Sequence, residues 1–336
     1  MISEATGEHF FKDILKKEKN DFALRPRSLD EFVGQERLKQ NLKVFISASL
    51  LRKEPLDHVL FYGPPGLGKT TLAFVIAEEL GREIRCFSGP TFSRAGDIAS
   101  VLTSVGEGNV VFIDEIHRLP RPCEEVLYTA MEDFAIDVLV GKGPGAKSIR
   151  LNLPPFTLVG ATTRLSLISA PLRSRFGIIE KLDFYSQSEL EAIIKNAANL
   201  LRLELEEEAI SEIARRSRGT PRIAKHLLRR VRDFADYYQK EEIDESFVKK
   251  VFEALDIDEL GLNWRDRSLL RVLKEKFGGG PAGLNNLATA VNEDVLTLEN
   301  FYEPYLIKLG LLARTARGRV LTSKGEQYLQ GVCRNG

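Results

Sequence analysis

Eight consecutive residues carry the strongest chemical signal in the sequence: Gly63-Pro64-Pro65-Gly66-Leu67-Gly68-Lys69-Thr70, a G-x-x-x-x-G-K-[ST] spacing. Glycines let backbone N–H groups turn inward around phosphate oxygens, where side chains would stand in the way. Lys69 brings a positive charge to the β- and γ-phosphates of ATP, and the Thr70 hydroxyl is placed to ligate Mg2+. The whole stretch, with Leu67 and Thr71 included, is the candidate ATP-binding loop. About 45 residues downstream, at the spacing of a hydrolytic site, the run Val110-Val111-Phe112-Ile113 ends in Asp114-Glu115. Asp114 can hold the Mg2+ sphere, and Glu115 can orient or deprotonate an attacking water.

The context positions these groups. The run Val59–Tyr62 reads as a strand entering the loop, and Leu72, Val75, Ile76 and Leu80 follow at helical spacing. A helix N-terminus therefore faces the anion. The runs Val59–Tyr62, Ile84–Phe87, Val110–Ile113 and Thr157–Gly160 alternate with helical patterns, which predicts a parallel sheet with helices on both faces. After Tyr185 the strands stop. Ser186 and Glu189 form a capping box opening a helix to about Leu201. Glu206–Ser217, Thr220–Tyr238 and Asp244–Leu255 read as three more, and Pro221 sits at a first helical position. From about Asp258, helical stretches at Arg265–Phe277, Leu284–Val291 and Leu296–Leu309 precede two short strands around Arg317-Gly318, the order of a winged helix. The expected fold is thus an α/β P-loop core over residues 1–185 (1–20 a loose arm), a small all-helical domain over 186–257 and a winged-helix domain over 258–336.

Composition narrows the setting. The 336 residues are 43% hydrophobic, and 48 basic side chains balance 48 acidic ones. Any nucleic-acid surface must therefore be local. It is expected at the hairpin, where Arg314, Arg317, Arg319 and Lys324 occur with no acid among residues 314–324. Duplex DNA bound without base reading is one interpretation, and a protein contact or a solvated loop is the other. Cys86, Cys123 and Cys333 are scattered and fit a reducing cytoplasm. Neither a signal segment nor a membrane-length apolar run is present.

The segments RPRSLDEFVGQE, GPPGLGKTTLA, FIDEIHRL, PLRSRFGI and RGTPRIA resemble AAA+ ATPases and, among them, the RuvB family across nearly the whole chain. The resemblance implies that Thr163, beside Thr162, is the first sensor of the γ-phosphate. It implies that Arg175 of Pro171-Leu172-Arg173-Ser174-Arg175-Phe176 is an arginine finger acting on a neighbouring subunit's nucleotide. It makes Arg222 of Gly219-Thr220-Pro221-Arg222 the second sensor. Leu24, Arg25, Glu132, Asp133, Phe134 and Tyr185 are carried over as residues approaching the nucleotide. The family's activity, ATP-driven branch migration of Holliday junctions in DNA recombination and repair, would follow. A homo-hexameric ring on duplex DNA is implied, with RuvA as docking partner and RuvC in the resolving complex.

Ile136–Leu153 alternates apolar and polar residues around Gly141-Lys142-Gly143-Pro144-Gly145 and reads as a hairpin. It either docks RuvA, as the resemblance implies, or packs internally. The competing functional class is an ATP-switched DNA-binding loader or initiator, which would bind junctions without moving them. A clamp loader would carry a helical collar in place of the winged helix, and nothing supplies the acceptor site of a metabolic kinase.

Overall fold

The computed structural model describes residues 25–140 and 147–332. Leu24, the Gly141–Gly145 turn and Cys333 lie outside the described residues. The chain divides into two compact units: residues 1–63 with 67–183, and 64–66 with 184–336.

In the first unit, β1 (Val59–Tyr62), β2 (Ile84–Ser88), β3 (Val110–Asp114), β6 (Thr157–Thr162) and β7 (Ile178–Lys181) form one sheet in the order β2-β3-β6-β1-β7. Each neighbouring pair is parallel. Val59, Leu60, Phe61, Leu158 and Val159 are fully buried, as expected of strands covered on both faces. One core cluster joins Leu60, Val111, Ile113 and Leu158 to Cys123, Leu127 and Met131 of the helix Arg121–Asp133. The sequence pattern named four strands; the fifth is β7. Its residues Ile178-Ile179-Glu180-Lys181 alternate poorly because β7 is the sheet edge, and charged side chains there protect an unpaired strand. The expected hairpin forms from β4 (Ala135–Val140) and β5 (Lys147–Asn152), antiparallel with Ala135 opposite Asn152. Ala135 and Ile136 are buried at its base, whereas Ile149 and Leu151 are exposed.

The second unit begins with the capping box foreseen at Ser186, whose N–H donates to Glu189 Oε2 at 2.7 Å. Its helices are Gln187–Leu201, Glu207–Arg216, Pro221–Tyr238 and Glu245–Ala254. The helical stretch is not strand-free: the two-residue strands β8 (Glu204–Leu205) and β9 (Glu242–Ile243) pair in parallel, too short to show alternation. Trp264–Phe277 and Leu284–Val291 follow, and the expected helix Leu296–Leu309 forms as a continuous helical run over residues 295–308. A π segment at Leu298–Tyr302 lies within it, between Val295–Thr297 and Glu303–Lys308. Pro304, lacking an N–H, cannot continue the i→i−4 ladder, and the chain bulges there. The hairpin β10 (Leu312–Thr315) and β11 (Gly318–Leu321) sets Arg314 opposite Arg319. A further helix, Ser323–Val332, closes the chain.

A buried joint unites the helical and winged-helix parts of this unit. Arg218 donates from Nε to Gly261 O at 2.7 Å and from Nη2 to Asp266 Oδ2 at 2.5 Å. Its guanidinium lies over the Tyr305 ring, whose hydroxyl donates to Leu260 O at 2.7 Å. Asp266 has no exposed surface and also accepts from Asn263 N at 2.9 Å. Burial pushes its carboxyl up and Arg218 pulls it down, with burial the larger effect.

In the first unit His58 bridges two elements through both ring nitrogens. Leu158 N donates to Nδ1 at 2.9 Å and Nε2 lies 3.0 Å from Met131 O, so Nε2 carries the proton. Phe134 and Phe156 pack on the ring. Burial lowers its pKa from the ordinary 6.5, as it does for His117 and His226. Histidines held neutral in the fold bind fewer protons than in the unfolded chain. Their contribution is therefore full above about pH 6.5 and shrinks as pH falls through the unfolded value toward the folded one. Melting temperature should drop on acidification from pH 7 to pH 5, and His58→Gln should flatten that slope while lowering the melting temperature at pH 7. An unchanged slope in the variant would show that His58 is not a source of it.

Candidate active site

The phosphate loop leaves β1 and is shaped by the strand beside it. Gly63 takes φ 141°, and a Cβ there would stand 2.5 Å from Leu182 O, just past the end of β7. Leu182 N in turn donates to Tyr62 O at 2.9 Å. Only glycine fits that approach. Lys69 Nζ donates to Gly63 O at 2.8 Å, so the ammonium folds back across the loop. Leu67 is fully buried and anchors the loop from below. The helix Lys69–Leu80 starts without a capping side chain or an acid in its first turn. The helix dipole at this end favours negative charge. Thr70 and Thr71 stand half-buried in that first turn.

The acids lie at the end of the neighbouring part of the sheet. Asp114 ends β3 opposite Ser88, and its Oδ1 accepts from Glu115 N at 2.9 Å. Glu115 has φ 48°, a left-handed backbone rare for a non-glycine residue. A Cβ on Gly89 would collide with Glu115 O, so glycine at 89 leaves room for this turn. Thr163 Oγ1 donates to Glu115 Oε2 at 3.2 Å, which brings the candidate sensor and candidate base together. His117, absent from the sequence-derived set, adds a contact from Nδ1 to the same oxygen at 3.2 Å. Burial pushes the His117 imidazole below its ordinary range, Glu115 opposes this, and Arg164 and Arg118 add to the lowering. A histidine two residues after an acid on a turn gives no periodic signal, so nothing local marks it.

Arg175 is held by the helix Arg121–Asp133. Nε donates to Tyr128 O at 3.1 Å, Nη1 to Pro171 O at 2.7 Å and Nη2 to Glu132 Oε2 at 2.8 Å, and the guanidinium lies over the Tyr128 ring. Two carried-over residues, Arg175 and Glu132, are thus brought into one ion pair. Asp133 pairs with Arg150 of the hairpin at 2.6 Å. Phe134 ends its helix at φ 48° and packs on His58. Arg25 lies over the Phe74 ring.

In the second unit, Tyr185 N donates to Gly219 O at 2.9 Å, and Arg222 N donates to Gly66 O at 3.3 Å. Pro221 occupies the helix start as expected, but the Thr220 hydroxyl donates to Ser217 O at 3.3 Å and caps no N–H.

The wing differs from its linear reading. Arg314 and Arg319 converge on Glu303, whose side chain has no exposed surface. Arg314 Nε meets Oε2 at 2.8 Å and Arg319 Nε meets Oε1 at 2.7 Å. Residues 314–324 contain no acid, yet the preceding helix supplies one, so two of the basic charges are partly neutralised. Arg319 is largely buried, Arg314 is half exposed, and Arg317 stands exposed at the hairpin turn.

A five-stranded parallel sheet with a phosphate loop, paired acids and a threonine bonded to the second acid defines a P-loop ATPase of the AAA+ class. Residues 24–182 match the family described as the Holliday junction DNA helicase RuvB P-loop domain. Residues 185–258 match the RuvB AAA lid domain, and 259–330 the RuvB C-terminal winged helix domain. The chain belongs to the RuvB family. It is 51% identical over 316 residues to the Holliday junction branch migration complex subunit RuvB of Oleidesulfovibrio alaskensis, covering 94% of this chain and 98% of that one. The Thermotoga maritima RuvB Holliday junction branch migration motor superposes with TM-score 0.85 at 50% identity, over 92% of this chain and 98% of that chain. A substituted form of the Thermotoga protein gives the same TM-score at 51% identity.

Gly63→Ala should strain the loop by roughly 1–3 kcal/mol, which corresponds to a loss of about five- to 150-fold in nucleotide affinity. Titration with a fluorescent ATP analogue would read this, and unchanged affinity would refute the close-approach argument. At the wing, Arg317→Ala should leave the melting temperature unchanged, whereas Arg319→Ala, which leaves Glu303 half-paired, should lower it measurably by calorimetry.

Proposed function

We propose that this chain is the ATP-driven motor of Holliday-junction branch migration, working as a hexameric ring on duplex DNA. The observation that carries the reading is the convergence of Thr163 and Glu115 at 3.2 Å beside a complete phosphate loop, in a chain that also has a winged helix. The relatives named for branch migration support it.

The chemistry follows from the residues. Thr70 and Asp114 offer two hard oxygens, which suits Mg2+, an ion that completes its shell from phosphates and water. Held by Thr70 and Asp114, Mg2+ would supply charge neutralisation for the phosphates. Lys69 and the loop N–H groups orient the chain of phosphates. Glu115 takes a proton from water as the water oxygen bonds to the γ-phosphorus and the bond to the β-bridging oxygen breaks, giving ADP and phosphate.

Arg175 acts in trans on the nucleotide of an adjacent subunit, where its planar fork spans several oxygens. Arg222 is the second sensor. Leu24, Arg25, Glu132, Asp133, Phe134 and Tyr185 surround the nucleotide. Arg314, Arg317 and Arg319 meet DNA phosphates, with Arg317 the most available. The hairpin presents exposed Ile149 and Leu151 to RuvA, and RuvC joins in the resolving complex. Among the described residues no helix is long and apolar enough to cross a membrane. Cys86 and Cys123 form no disulfide among the described residues, in keeping with a cytoplasmic setting.

Mixing decides between a shared and a self-contained site. Arg175→Ala and Lys69→Ala should each be nearly inactive alone, yet their mixture should regain part of the ATP turnover, since some sites then combine an intact loop with an intact finger. No recovery on mixing would count against a finger in trans. Migration of a synthetic four-way junction tests the motor itself: a loader would bind it and leave it in place. Arg317→Ala should weaken junction binding for all sequences and reduce the salt slope by about one.

A further inference from the structure

His117 lies on the single 3-10 turn Ile116–Arg118 that follows Glu115. Its side chain is 8% exposed, while that of Glu115 is 32% exposed. Nδ1 stands 3.2 Å from Glu115 Oε2 and 2.9 Å from Thr162 Oγ1. Thr162 is the last residue of β6, and its Oγ1 accepts Arg164 N at 2.9 Å. Thr163 Oγ1 reaches the same Glu115 Oε2 at 3.2 Å. Both neighbours of Nδ1 are oxygens. Nδ1 shares a hydrogen bond with Thr162 Oγ1 whose direction depends on the tautomer, and the Glu115 carboxylate lies beside it. A bare Nδ1 would set its lone pair against that carboxylate, so the charge on Glu115 favours the Nδ1–H tautomer.

We propose that His117 is a positioning residue for ATP hydrolysis, holding the Glu115 carboxylate through Nδ1–H and tying it to the end of β6. The proposal rests on Glu115 being the general base. A glutamate has three rotatable bonds, and this one springs from a left-handed turn. With Thr163 as its sole donor the carboxylate would swing about one contact. The second contact restrains Oε2 from another side, and the anchor at Thr162 ties the base to the end of β6. Such an effect acts on the chemical step and leaves ATP binding alone, because His117 has no part in the phosphate loop.

Steady-state ATP turnover with junction DNA tests this with four variants of the full-length protein. His117→Ala should lower kcat by about tenfold or more, with KM for ATP within about twofold of wild type. His117→Asn should restore most of kcat, since its Nδ2 occupies the place of Nδ1 and can donate. His117→Leu, similar in volume but without a donor, should match alanine while melting close to wild type. If His117→Leu keeps wild-type kcat, or His117→Asn does no better than His117→Leu, the positioning role is overturned. Glu115→Gln is the separate control. Wild-type turnover there overturns the base assignment, whereas an inactive Glu115→Gln with a fully active His117→Leu overturns only the role of His117.

Discussion

Nucleotide chemistry in this chain depends on a backbone passage with no space for a side chain. At Gly63 the chain leaves β1 directly against the Leu182 carbonyl. That carbonyl lies just past β7, the strand paired with β1 along Val59–Tyr62. The curve of the phosphate loop is thus set by strand pairing as well as by the glycines within it. Lys69 then closes the loop from inside through its bond to Gly63 O. The edge strand looks dispensable in the sequence, yet it supplies the wall that shapes the loop.

The same economy governs the acid pair. Glu115 sits in a backbone region that disfavours side-chain-bearing residues by roughly 1 kcal/mol or more. Gly89 leaves room for its carbonyl, and Arg118 N donates to that carbonyl at 2.9 Å. Strain of this kind persists only where the surroundings over-determine it. Here they do so from three directions: the turn after β2 through Gly89, the turn after β3 through Arg118, and the residue after β6, Thr163. In the second unit, Arg218 plays a comparable organising role. Its ion pair with Asp266 is buried, so breaking either half would leave an uncompensated charge. Arg218 is also four residues ahead of Arg222, which places a rigid joint next to a candidate sensor.

What could be read from the sequence was what is contiguous. The phosphate loop, Asp114-Glu115 and the capping box at Ser186 are local patterns whose physics is complete within a few residues. The parallel sheet was legible through its buried strands, because a doubly covered strand must be apolar throughout. β7 escaped because an edge strand carries charge for a different reason. The π turn escaped because a proline near a helix start is ordinarily favourable; at Pro304 the ladder was already running. Glu303, His117 and Asp266 act on partners brought near by the fold: Arg314 and Arg319, Thr162, and Arg218. No spacing rule links such residues, so pairwise geometry had to supply them. Arg25, Glu132 and Tyr185 came from family resemblance, and the fold then gave each a concrete neighbour.

Those neighbours share a theme: the candidate arginines are parked on local acids. Arg175 rests on Glu132, and Arg314 and Arg319 rest on Glu303. An isolated long arginine loses rotamer entropy whenever it engages a phosphate, a cost of about 2 kcal/mol at most. Holding the guanidinium on a carboxylate removes much of that entropy in advance, at the expense of competition for the ligand. The competition is graded by exposure. Glu132 is 62% exposed, so its pair with Arg175 is solvent-screened and weak. Glu303 is fully buried and keeps its arginines, which makes Arg314 and Arg319 a fixed platform and leaves Arg317 as the mobile charge. Burial of the acid therefore separates an arginine that can be released from one that holds the wing in shape.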